Sequence, residues 1–228
     1  MAQELGLRQA YATIKNAYKA KQRNPVTTAS DLRSLVPITT GKTQYTFPII
    51  VGDDANNYPE AILLNRADAF TATEIGIFIA AKSSTANTAY DWYSYGNTII
   101  FGATDSVTMR TLFNNSFINA TINNVQYLQN YSVSRLRKTP IVQNATTLAG
   151  NSAATSVAGS NVSLPQDAFN GQSDGFYPLV PTLQLSGTSK MEITLNLSAG
   201  LTAASSGSYV ICFAARGFLS LGASNLNK

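Results

Sequence analysis

The chain has 228 residues, of which 44% are hydrophobic and 10% aromatic. Only 12% are charged, about half the ~25% usual for soluble domains. It contains no histidine and a single cysteine, which excludes His-based triads, imidazole metal sites, an intramolecular disulfide framework and Cys-cluster zinc sites. The apolar share is ample for a core, so the profile is that of a packing β protein rather than a disordered chain or an enzyme.

The net charge of +4 is confined to one end. Residues 1–23 set Arg8, Lys15, Lys19, Lys21 and Arg23 against Glu4 alone, while residues 24–228 balance 11 basic with 11 acidic groups. A nucleic-acid footprint spread over the whole fold is therefore disfavoured. Within this arm Leu7, Tyr11, Ile14 and Tyr18 recur at steps of four, three and four, which predicts one apolar helical stripe. Arg8, Lys15 and Lys19 fall about a quarter turn to its side, and Pro25 supplies a stop. An apolar ridge beside a basic ribbon suits an anionic layer, either lipid headgroups or genome. The plainer reading is a helix docked on its own protein with its lysines solvated, and the two are compatible. The start MAQELGLRQAYATIK has no unbroken apolar region, so no signal peptide is expected, and synthesis in a host cytoplasm is.

Beyond the arm, period-2 patterns predict short strands. Tyr45, Phe47, Ile49 and Val51 alternate, with Pro48 arguing for an edge or a bulge; residues 61–64 form a short apolar run; Ile75, Ile77 and Ile79 alternate again. Strands are expected at 92–95, 98–101 and 107–112, with a tight turn at Gly96-Asn97. Residues 113–129 are ambiguous between helix and strand, and 125–137 read as one bent strand or two. Residues 144–175 read as loops with weak strands. The tail gives three clear strands, around Leu183 and Leu185, from Met191 to Leu197, and through Tyr209, Ile211 and Phe213.

Motifs that would carry chemistry are weak. Gly41-Lys42-Thr43 ends like a phosphate-binding loop, but Val36 stands where its first glycine belongs and a strand follows. Asp53, Asp54 and Glu60, with Asn56 and Asn57, form the only oxygen-rich cluster; EF-hand spacing is missing, so an Asx-rich turn is expected ahead of a metal site. Cys212, inside YVICFAA, is expected to be an inert core residue. Arg135, Arg137 and Lys138 read as a solvated strand end or a subunit contact. No catalytic constellation, cofactor site or small-molecule substrate site is expected.

The segments beginning Tyr58 and Tyr177 both run Tyr-Pro, an apolar stretch, a polar turn and then Glu-Ile. Two related β modules would explain this, although short alternating segments resemble one another in any β-rich chain. With the basic start LRQAYATIKNAYKAKQR and the closing strands MEITLNL and YVICFAARGFL, the chain resembles the double-jelly-roll major capsid proteins of tailless icosahedral phages with an internal membrane. The compact coat proteins of lipid-containing, single-stranded DNA phages of flavobacteria are the nearest in character.

The resemblance implies an all-β fold of two tandem eight-stranded jelly rolls (a double jelly roll) with an N-terminal amphipathic helix. Its domains would be 1–25 for the helix, 26–138 for the first module and 139–228 for the second. It implies a virion protein that forms homotrimers and contacts neighbouring capsomers, minor capsid or vertex proteins, and internal membrane lipids through the helix. Sixteen strands would leave roughly 11–12 residues per strand with its loop, near the short limit; a single jelly roll with insertions is the next reading. A rival from another class is a phage fibre or carbohydrate-binding β-sandwich, which would need Trp92, Tyr93 and Tyr95 as an exposed platform.

Overall fold

The computed structural model describes residues 2–21, 25–53, 58–82, 90–96, 98–137, 175–201 and 209–224. In chain order these form helix α1 (Ala2–Ala20), strands β1 (Thr27–Pro37), β2 (Gln44–Phe47), β3 (Ala69–Lys82) and β4 (Tyr90–Tyr93), and helix α2 (Thr98–Asn114). Strands β5 (Ser116–Ile122), β6 (Val125–Ser132), β7 (Phe176–Ser186), β8 (Met191–Leu197) and β9 (Tyr209–Ser220) complete the set. The fold is all-β, built from two antiparallel sheets. One runs β1-β9-β3, with β7 and β4 sharing the far side of β3; the other runs β2-β8-β5-β6.

The central strands explain their own sequences. In β9, Ile211, Phe213 and Ala215 enter the core between the sheets, which also takes Tyr45 and Phe47 of β2, Ile118 of β5, and Ile193 and Leu195 of β8. The alternate residues Val210, Cys212 and Ala214 enter a second cluster on the opposite face, with Leu35, Phe78, Ala80, Trp92 and Phe176, against which Tyr58 and Ala61 pack. A strand covered on both faces has no solvent side, so it reads as a continuous apolar run. Strand β3 is buried throughout 69–80 for the same reason. Its pairing with both β7 and β9 skips Thr73, and this bulge moves the core-facing set from Phe70 and Ala72 to Ile75, Ile77 and Ile79. Gly217 lies opposite Ala72, and a Cβ there would run into the Thr71 carbonyl oxygen.

Between β5 and β6 the chain turns at Asn123 and Asn124, with φ of 49° and 65°. Two successive positive φ values are what a two-residue type I′ hairpin requires, and asparagine tolerates them. The 113–129 ambiguity resolves as the helix end, β5, this turn and β6; the stretch 125–137 is β6 followed by a 3-10 turn at Val133–Leu136.

Three expectations need correction. The strands expected at 98–101 and 107–112 are α2. β-branched Thr98, Ile99, Ile100 and Val107 suggested strands, but Phe101, Asp105, Met109 and Leu112 are buried at helical spacing, and packing overrides local propensity. Secondly, Tyr58–Ala61 and Tyr177 do not begin equivalent modules: Glu74-Ile75 lies in β3 of one sheet, and Glu192-Ile193 in β8 of the other. Thirdly, the nine strands among the described residues do not sort into separate sheets on either side of residue 138. Strand β9 pairs with β1 and β3, β7 with β3, and β8 with β2 and β5. Both sheets thus combine strands from 26–138 and 139–228, because the apolar C-terminal strands find their neighbours in the N-terminal half. Among the described residues this is one sandwich rather than two in tandem.

Candidate functional site

Helix α1 lies against the face of the β1-β9-β3 sheet that points away from the main core. Ile14 and Tyr18 are buried there with Ala69 and Ala223, and Phe218 packs against them. The Tyr11 ring sits 5.4 Å from that of Phe218. Leu7 and Tyr11, further towards the N-terminus, keep 38% exposure each. The apolar stripe is therefore divided: its C-terminal half is committed to the protein, and its N-terminal half is partly solvated.

Arg8, Lys15, Lys19 and Lys21 are all exposed; Arg23 falls outside the described residues. Among the described residues no carboxylate pairs with Lys15 or Lys19. Lys19 stands in the last helical turn, where a cation also complements the helix dipole.

Helix and strand meet in a groove of about 280 Å3, lined by Tyr11, Lys15 and Tyr18 from α1 and by Pro25, Val26 and Thr27 leading into β1. The strand side of the groove is anchored. The Leu221 N–H donates to the Val26 carbonyl at 2.9 Å, and the Thr27 and Ser220 hydroxyls are 3.1 Å apart. Val26 nonetheless leaves 63% of itself exposed. Nothing in the sequence periodicity marked Val26, because it lies between the helix and the strand and belongs to neither pattern.

The other candidate residues are dispersed. Asp53 forms a 3.5 Å ion pair with Arg66, both largely exposed; Asp54 lies outside the described residues, and Glu60 is partly buried beyond that gap. Among the described residues no three potential metal-ligating side chains come together. Gly41-Lys42-Thr43 leads into β2, as expected, and Lys42 Nζ lies 5.1 Å from the Tyr45 ring centroid, which engages it with an aromatic face. Arg135 and Arg137 are exposed; Arg135 lies over Tyr131, and Arg137 donates to Asn114 Oδ1 at 3.1 Å; Lys138 lies outside the described residues.

Trp92, Tyr93 and Tyr95 are 3%, 4% and 7% exposed. They divide between the two cores, with Trp92 in the outer cluster and the two tyrosines in the inner one, so they form no exposed platform. Cys212 is completely buried, and its desolvation pushes the thiol well above its usual range; nearby Arg33 opposes this and Glu60 adds to it. Such a thiol is unreactive. One buried polar link escaped sequence reading altogether: the Tyr209 hydroxyl donates to Asp105 Oδ2 at 2.8 Å, joining α2 to the start of β9 across 104 residues. No spacing rule connects residues so distant. Comparison with known protein families, curated proteins and solved structures finds no match to this chain.

Proposed function

We propose that this chain is a shell-forming structural protein: the major capsid protein of a tailless icosahedral phage with an internal membrane, built on one jelly roll rather than two. The observation that carries the reading is strand order. With β4 set aside, β1-β9-β3-β7 faces β2-β8-β5-β6, the first strand beside the last and the second beside the last but one. That order supports an eight-stranded jelly roll, an architecture used by viral capsid and lectin domains. Between those two uses, burial of Trp92, Tyr93 and Tyr95 speaks against these three as the platform of a carbohydrate-binding module.

Further support comes from charge. Outside residues 1–23 the chain is neutral and sparsely charged, so identical subunits can pack side by side without burying unpaired charge. Closed symmetric assembly, through homotrimeric capsomers, is then the function. Helix α1 turns its basic ribbon to the anionic membrane layer. Each basic residue near such a surface contributes ~1 kcal/mol, and repetition over a shell makes weak contacts sufficient.

Light scattering and electron microscopy of the purified protein test this. Trimers that assemble into shells are expected, and removal of residues 1–23 should leave trimers while weakening association with anionic vesicles. A protein that stays monomeric at high concentration and ignores lipid would overturn the proposal.

A further inference from the structure

We infer that the groove between α1 and residues 25–27 is a seat for a single anionic phospholipid, taking its phosphate and the first methylenes of one chain. The inference rests on the membrane-facing reading of α1 but alters how the contact is made. An amphipathic helix ordinarily binds a bilayer by sinking its apolar stripe beneath the headgroups. Here Ile14 and Tyr18, half of that stripe, are buried against Ala69, Phe218 and Ala223. While α1 is docked, those side chains are not available to lipid. The helix must receive the membrane from its side, where Lys15 and the groove lie.

The groove has the chemistry for this. Lys15 brings a cation that no described carboxylate neutralises, flanked along the ribbon by Arg8 and Lys19. Beside it lie Pro25, the largely exposed Val26 side chain and the partly exposed Tyr11 ring. A free phosphate would use only the cation, leaving the apolar wall in water; a phospholipid uses both. The walls are set in advance, by the Tyr11–Phe218 ring contact and by the Leu221 and Ser220 hydrogen bonds, so little ordering is required on binding. At about 280 Å3 the space falls just below the ~300–1,000 Å3 of sites that enclose a whole small molecule. That suits a headgroup with the start of a chain, the remainder staying in the bilayer.

The experiment uses the full chain and dihexanoyl phosphatidylglycerol below its micelle concentration, followed by calorimetry or NMR titration. Saturable binding is expected, at least tenfold weaker in Val26→Asp and severalfold weaker in Lys15→Gln, with Lys42→Gln, exposed beyond the opposite end of β1 from the groove, unchanged. Val26 and Lys15 are exposed, so thermal melts of the variants should match the parent and exclude misfolding. Equal binding of inorganic phosphate or of a short oligothymidylate would overturn the inference, as would equal affinity for both groove variants. If removing residues 1–23 abolishes vesicle binding while the short-chain lipid does not bind, the groove is wrong and the membrane-facing reading stands. If vesicles are ignored and no assembly forms, that reading has itself failed.

Discussion

Cys212 shows how one residue reports on the fold around it. Its thiol is raised by burial, so the folded chain keeps a proton that the unfolded chain releases from about pH 8.5. Above that pH the unfolded state binds fewer protons, and stability falls as pH rises towards the folded value. Tyr45 and Tyr131, both raised chiefly by burial, add to the same slope from about pH 10. Urea midpoints should therefore fall progressively from pH 8 upward, and Cys212→Ala should flatten the first part of the fall. A flat profile between pH 8 and 10 would contradict complete burial of the thiol. Reagents that label thiols should react with Cys212 only as fast as the protein unfolds. The Tyr209–Asp105 bond makes a separate claim. Tyr209→Phe leaves a buried carboxyl short of a donor, at a cost of about 1–3 kcal/mol, read as a lowered urea midpoint. A change within experimental error would show that Asp105 is satisfied by its other contacts.

Elements differ in how far their sequences announce them, and the difference lies in how many faces they bury. Strand β8 runs from Met191 to Leu197 as its alternation indicates, because it follows one unbroken period. In β3 the alternation through Ile75, Ile77 and Ile79 was visible, but the first turn of the pattern was not, since the Thr73 bulge changes which residues face the core. Strand β1 carries no single period, because its first half is polar and largely exposed while its second half buries Ser34 beside Leu35. Helix α2 was concealed by residues that favour strands. Helix α1, amphipathic and poor in strand formers, was plain, although only the structure shows that Ile14 and Tyr18 are its attachment. Ile14→Ala should cost about 2–5 kcal/mol at a rigidly packed core site, and rather less here if the helix undocks alone. The expected outcome is faster proteolysis within residues 2–21 while the sandwich keeps its melting midpoint within a few degrees. Cooperative loss of the whole fold would mean that the helix is part of the core rather than attached to it.

At the scale of the molecule, the pairing of distant strands governs how the chain can fold. Strand β9 lies between β1 and β3, and β8 between β2 and β5, so the last 40 or so residues supply the central strand of each sheet's N-terminal pairings. Until they are present, β1 and β3 have no neighbour in common, and the core-facing side chains of β2 and β5 have nothing between them. Contacts this remote in sequence make folding slow, since chain entropy is lost before the pairing rewards it. Two modules in tandem would behave otherwise, each half closing its own core. Residues 1–138 expressed alone should therefore show no cooperative melting transition and should aggregate through unpaired strand edges, whereas co-expression with 139–228 should recover a soluble complex with one transition. Circular dichroism melts of each half decide the matter. Independent cooperative folding of either half would restore the tandem arrangement and remove the single-sandwich basis for the proposed shell subunit.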